Sequence, residues 1–184
     1  MLQLFKMWLK AGPLTESEAS QNKSQATAIQ LKRAQLNQLP QNDRQTLGRS
    51  LLIRHLDVGS NNAEEAELVA LSSPYYAISR FGIDFTASPR HADILAVTGP
   101  VTRQLKVAME RTYQATPKPC LIVAVGDGSC YGKPYGNTYS CLGPVDQFLP
   151  VDLYIPGDPP SPEEILAGLI ACKQALLEKE KTFN

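Results

Sequence analysis

The chain reads as an α/β protein: a largely parallel sheet with helices on both faces. Two observations predict this. From Arg49 onward short apolar runs alternate with helix-length amphipathic segments, the pattern of βαβ units. The run "PCLIVAVG" is continuously apolar, as a strand covered on both faces must be.

The elements follow in order. The start, "MLQLFKMWLK", sets Leu2, Phe5, Trp8 and Leu9 against Lys6 and Lys10, the pattern of a short helix lying in a membrane interface or a partner's groove. A frayed terminus is the other reading, because so short a helix is weak alone. From Gly12 to about Gly48, Gln, Asn, Ser, Thr and Lys dominate. Ile29, Leu31, Leu36 and Leu39 are too few to build a core, so residues 1–48 read as an amphipathic segment and an extended arm, and residues 49–184 as the α/β domain. Within the domain "SLLIRHLDV" is a strand, and "AEEAELVALSSPYYAISRFG" is helical with an interruption at Pro74. "IDFTAS" and "DILAVTG" are strands, "TRQLKVAMERTYQA" is a helix and "PCLIVAVG" the buried strand. The final helix, "SPEEILAGLIACKQALLEKEK", opens with a capping box from Ser161 to Glu164 and Pro162 at its first position.

Composition excludes several roles. Lys+Arg and Asp+Glu number 18 each, leaving no basic field for nucleic acid, and no segment approaches the roughly 20 apolar residues that span a bilayer. No P-loop, nucleophile-elbow or zinc-protease motif is present. The cysteines, Cys120, Cys130, Cys141 and Cys172, form no C-x-x-C pair and read as reduced thiols; Cys120 and Cys172 fall in core patterns. His55 and His91 are not spaced as metal ligands and read as hydrogen-bonded structural residues.

In such folds ligands sit at the carboxyl ends of the strands. The loops "DVGSNNAEE", "VGDGSCYGKPYGNTYS" and "YIPGDPPSPEE" hold that address and are expected to converge.

The segments "RHLDVGSNNAEEAEL", "RFGIDFTASPRHADILAVTGPVT", "PKPCLIVAVGDG" and "PVDLYIPGDPPSPEEILAGLI" resemble, in order and spacing, the 20-kDa subunit of respiratory complex I (NADH-quinone oxidoreductase) and the matching small subunit of membrane-bound, energy-converting nickel-iron hydrogenases. The likeness runs from about Ser50 to Cys172. It implies a doubly wound, flavodoxin-like domain holding a 4Fe-4S cluster, the last electron carrier before quinone or the nickel-iron centre. The family's cysteine ligands come from a C-x-x-C after the "DVGS" turn (adjacent cysteines in the complex I version), from the loop after "VAVGD" and from "PGCPP". Here those places fall on Asn61, Glu64, Gly128 and Asp158, and none is a cysteine.

Clusters are held by thiolates, with imidazole the known replacement; an Asn amide is a poor ligand and Gly has no side chain. No cofactor is therefore expected. Cys130 and Cys141 are nearby thiols, and Cys130 matches a non-ligand cysteine of the hydrogenase-like version. With Glu64 and Asp158 they offer donors that zinc accepts, but in no usual zinc spacing, so no metal is expected either. Asn61 and Glu64 also read as an N-cap and its third helical residue, and Asp158 as a turn residue. Flavin binding would rest on fold alone, and "GSNNAEE" puts acids where a phosphate wants amides. Ionised, Glu64 and Asp158 would supply about −2, the charge of an oxidised cluster with its thiolates.

The resemblance and the four missing ligands together imply a redox-silent structural subunit that bridges a large soluble partner to membrane-embedded ion-translocating subunits, peripheral on the cytoplasmic face of the inner membrane and touching it through the N-terminus. The alternative is an electron-transfer subunit with an altered 4Fe-4S cluster or a quinone beside it. No catalytic residue is identified, and whether the chain is itself part of an enzyme's chemistry is left open.

Overall fold

The computed structural model describes residues 50–181. Residues 1–49 and 182–184 lie outside them, among them the contact residues expected at Leu2, Phe5, Trp8 and Leu9.

The elements are β1 (Leu51–Asp57), α1 (Ala63–Ala70), β2 (Ile83–Phe85), β3 (Ile94–Thr98), β4 (Val101–Thr102), α2 (Lys106–Ala115), β5 (Leu121–Val125), α3 (Asp127–Tyr131), β6 (Cys141–Gly143), β7 (Leu153–Ile155) and α4 (Pro162–Lys181). Five strands form one sheet in the order β2-β1-β3-β5-β7, every pair parallel. This is the flavodoxin order, in which the chain winds one way from β1 to β2 and the other way from β3 onward. The doubly wound α/β fold expected from the sequence is the fold observed.

Alternation along the strands builds two cores. Ile94, Ala96, Leu121, Val123 and Val125 face one side with Leu68, Leu71, Ile165, Leu169 and Cys172. Leu95, Val97, Ile122 and Ala124 face the other with Met109, Cys130, Val145 and Leu149. Both faces of β3 and β5 are therefore dry, which is why "CLIVAVG" carries no polar residue. On α4 the buried Ile165, Leu169 and Cys172 recur at helical spacing, and burying each large aliphatic side chain contributes about 1.5–3 kcal/mol.

Two aspartates stitch the amino ends of the strands. The Leu52 amide donates to Asp93 Oδ2 at 2.8 Å while the Asp93 amide donates to the Leu52 carbonyl at 2.8 Å. Asp152 repeats the exchange with Ile122, both bonds 2.8 Å. These ties lie at the end of the sheet opposite the three loops.

The long helix read across residues 63–82 is instead α1 followed by turns and a short 3-10 helix at Ile78–Phe81. Pro74 has no N–H and denies Ser73 the α-conformation, so the chain turns through Ser72 and Ser73, whose amides bond back to Val69 and Ala70. The helix read from Thr102 begins at Lys106, because Thr102 belongs to β4, which pairs antiparallel with β6 in a small second sheet. The capping box on α4 is present: Ser161 N–H and Oγ each lie 2.9 Å from Glu164 Oε2, and the Glu164 amide donates back to Ser161 Oγ.

Candidate functional site

The carboxyl ends of β1, β3, β5 and β7 carry the loops in question, and the structure brings them together. After β1, Asp57 Oδ1 accepts from the amides of Gly59 and Ser60, both at 2.8 Å, which curls the chain toward α1. Asn61 is exposed, and its Oδ1 accepts from the Ala63 amide at 3.0 Å. Asn62, left-handed at φ 70°, is the N-cap residue, so Glu64 is the second residue of α1 and not the third of a capping box headed by Asn61. Asn tolerates this conformation better than most residues.

Glu64 is only 4% exposed. Its side chain folds onto Gly126 at the end of β5: a Cβ there would stand 2.7 Å from Glu64 Cγ, so a glycine with φ +89° is what makes room for it. Glu64 Oε2 is shut off from water and has no hydrogen-bond partner. Burial pushes the carboxyl above its ordinary range, and the charges of Glu65, Asp158 and Asp57 push the same way against its own backbone amide.

Asp127 laces the next two loops. Its amide donates to the Gly157 carbonyl at 2.7 Å, and its Oδ1 accepts from the Gly157 amide at 2.9 Å. Gly128 is buried within α3, against the loop after β3: a Cβ on it would come within 2.9 Å of Pro100 Cδ and 3.2 Å of Gly99 Cα. Asp158 is exposed beyond this lacing, followed by the buried Pro160.

A 4Fe-4S group does not fit what these residues offer. Asn61, Glu64, Gly128 and Asp158 present an amide, two carboxylates and no side chain, and Gly128 has no space to acquire one. Cys130 offers no substitute thiolate. It lies 3% exposed in the second core, its Sγ directed at the Ala124 carbonyl at 3.5 Å, and burial raises it to about 12. Cys141 is buried in β6. Among the described residues no group of three or more His, Cys, Asp or Glu is placed to hold a metal ion, so the set of two thiols and two carboxylates considered for zinc is not assembled. Cys172 is a core residue, whereas Cys120 is half-buried at the start of β5, within 3.1 Å of Lys118 Nζ.

One polar cluster goes beyond the sequence reading. His55 Nε2 lies 2.9 Å from Thr98 Oγ1 and 3.3 Å from Glu65 Oε1; Thr98 Oγ1 also donates to Glu65 Oε1, and Ser60 Oγ donates to Glu65 Oε2 at 2.6 Å. Glu65 thereby ties α1 to β1, β3 and the loop between them. Burial holds His55 below its ordinary range, with Glu65 opposing. His55 is hydrogen-bonded as expected; the signal for its partner was Thr98, the one polar residue of the otherwise apolar β3. A second feature, unforeseen, is a cleft of about 390 Å³ lined by Gly59, Thr102, Arg103, Leu105, Tyr139 and Ser140 among others.

Comparison with known proteins gives a consistent picture. The family model described as NADH ubiquinone oxidoreductase, 20 Kd subunit, matches residues 62–172. The chain is 38% identical over 135 residues to the "Probable membrane-bound hydrogenase subunit mbhJ" of Pyrococcus furiosus, covering 73% of this chain and 81% of that one. Among solved structures it superposes on a chain of the membrane-bound sulfane sulfur reductase (MBS), an archaeal respiratory membrane complex, with a TM-score of 0.64 and 28% identity, over 75% of this chain and 76% of that one. A chain of an NAD+-reducing [NiFe]-hydrogenase shares the fold at a TM-score of 0.50 and 17% identity, over 66% of this chain and 92% of its own length.

Proposed function

Because this chain belongs to the NADH ubiquinone oxidoreductase 20 Kd subunit family, we propose that it is a redox-silent structural subunit of a membrane-bound complex of the hydrogenase and complex I kind. In this reading it bridges a large soluble subunit to membrane-embedded ion-translocating subunits, and the place of the family's cluster is vacant. The membrane-bound complexes named for its relatives support the setting. Among the described residues no helix is long and apolar enough to cross a membrane, which agrees with peripheral attachment, the N-terminal Leu2, Phe5, Trp8 and Leu9 providing the contact on the cytoplasmic face.

The observation that carries the reading is the donor set. Asn61, Glu64, Gly128 and Asp158 stand where the resemblance puts four thiolates, and the third position is closed by Pro100. A fold kept intact after its ligands are gone is kept for its surfaces.

The test is iron and acid-labile sulfide per copy of the purified complex, before and after this chain is selectively released. Unchanged iron and sulfide in the remaining complex, with none in the released chain, is the expected result. Loss of about four of each with the chain would overturn redox silence and favour the electron-transfer alternative.

A further inference from the structure

Asp57, Glu64 and Glu65 come from one short stretch, and Asp158 reaches the same region because it follows Gly157, which is hydrogen-bonded to Asp127, the residue after the Gly126 on which Glu64 rests. The chain as a whole is neutral, so this is a local excess of negative charge. Among the described residues the ion pairs are His55 with Glu65 and Lys106 with Glu110; no lysine or arginine pairs with Glu64 or Asp158. Within the set Glu64 is singular, 4% exposed, with Oε2 bare of any partner. A buried carboxylate without a counter-charge is costly, whereas the same group given a cation is not. Its long side chain rests on Gly126, a contact that rotation about flexible torsions can release.

We propose that Glu64 and Asp158 together form the receptor for an arginine side chain of the large soluble neighbour. The inference rests on the bridging role proposed above. A guanidinium suits the pair because its planar fork can serve two carboxylates at once and sheds water more readily than an ammonium or a divalent ion. A metal ion suits it less, since no third ligating side chain is placed with these two among the described residues. Asp158, exposed, meets the approaching cation first; Glu64, buried, holds it after water is excluded.

The experiment isolates the complex through a tag on the full-length chain and washes it at rising salt. Wild type is compared with Glu64→Gln, Asp158→Asn, the double variant and a control, Glu110→Gln, which breaks only the exposed Lys106 pair on α2. The double variant is expected to weaken retention of the large subunit by about 30-fold or more, and the control by less than about twofold. The isolated Glu64→Gln chain should melt no lower than wild type, which separates lost docking from lost folding. Equal retention by wild type and the double variant overturns the inference and leaves the bridging role standing. Release by a chelator with restoration by a divalent ion overturns the choice of arginine. If the wild-type chain retains no large neighbour at all, the bridging role itself falls, and this inference with it.

Discussion

Replacing Glu64 by methionine should stabilise the isolated chain. The two side chains have similar length, so methionine still covers the shelf at Gly126 while removing the unpartnered Oε2. Two effects oppose each other. An unsatisfied buried polar group costs about 1–3 kcal/mol, and methionine removes that cost. An acid in the first turn of a helix gains about 0.3–1 kcal/mol from the helix dipole, and methionine forfeits that gain. The first is the larger, so the net expectation is about 0.5–2 kcal/mol of added stability near pH 7, or roughly 2–8 °C in melting temperature for a domain of this size. The pH dependence follows from the direction of the shift. Glu64 titrates above its ordinary value of 4.5, so the folded chain holds that proton more tightly than the unfolded chain. Wild-type stability therefore falls as pH rises from about 4.5 through the folded-state value and is flat above it, while the variant lacks this decline. Calorimetry of both full-length chains near pH 4 and pH 7 at constant ionic strength should show a gap that opens with pH. A variant that melts lower at pH 7, or a gap that ignores pH, would refute the argument from the bare oxygen.

Other substitutions probe the framework around the site. Glu65→Ala removes the acceptor shared by Thr98 and Ser60 and the counter-charge of His55, and should cost about 2–3 kcal/mol in urea unfolding. His55, held low by burial, makes the fold lose stability as pH drops below 6.5 toward the folded-state value; without Glu65 to oppose burial this acid loss should extend further, as stability curves between about pH 5 and 7 will reveal. Asp93→Ala strands the Leu52 amide between β1 and β3, and a loss of about 1–3 kcal/mol in denaturant titration is expected. Gly128→Cys forces a Cβ against Pro100 and should cost about 1–3 kcal/mol, whereas Asn61→Cys, at an exposed turn, should cost about 1 kcal/mol or less in the same assay.

What the sequence showed and what it hid have a common physical basis. Strands β3 and β5 were legible because both faces are buried and the apolar runs are continuous, and β1 because its apolar start, Leu51 to Ile53, runs into a glycine turn; α4 was legible because Ser161, Pro162 and Glu164 are local signals read at fixed spacing. The strands β4 and β6 were not, being two and three residues long and defined by a pairing across distant segments. The same divide runs through the site. Asn61, Glu64, Gly128 and Asp158 could be named from the family resemblance, yet that Glu64 is buried while Asp158 is exposed depends on Gly126, a residue of another loop. Likewise the contacts of Glu65 with His55 and Thr98 span three elements, and no local pattern encodes them.

This burial changes the electrostatic expectation. Glu64 and Asp158 could reproduce the charge of about −2 of an oxidised cluster and its thiolates only if both were ionised. In the isolated chain burial and three neighbouring acids work against ionisation of Glu64, so the charge there is held at a cost. An arriving guanidinium would reverse the balance, because a cation beside a carboxyl favours its charged form. Binding of the cation and loss of the proton are then linked, each favouring the other by the same free energy. Under the proposed reading the docked neighbour stabilises the charge that stands in for the missing group. The free chain bears the cost of an unpaired acid, and the assembled complex gains a matched pair at its interface. Asp158→Asn alone should then weaken docking without changing the melting of the free chain, since its carboxylate is exposed and its only effect on Glu64 there is repulsive. A large loss of free-chain stability in that variant would show that Asp158 serves the turn and not the neighbour.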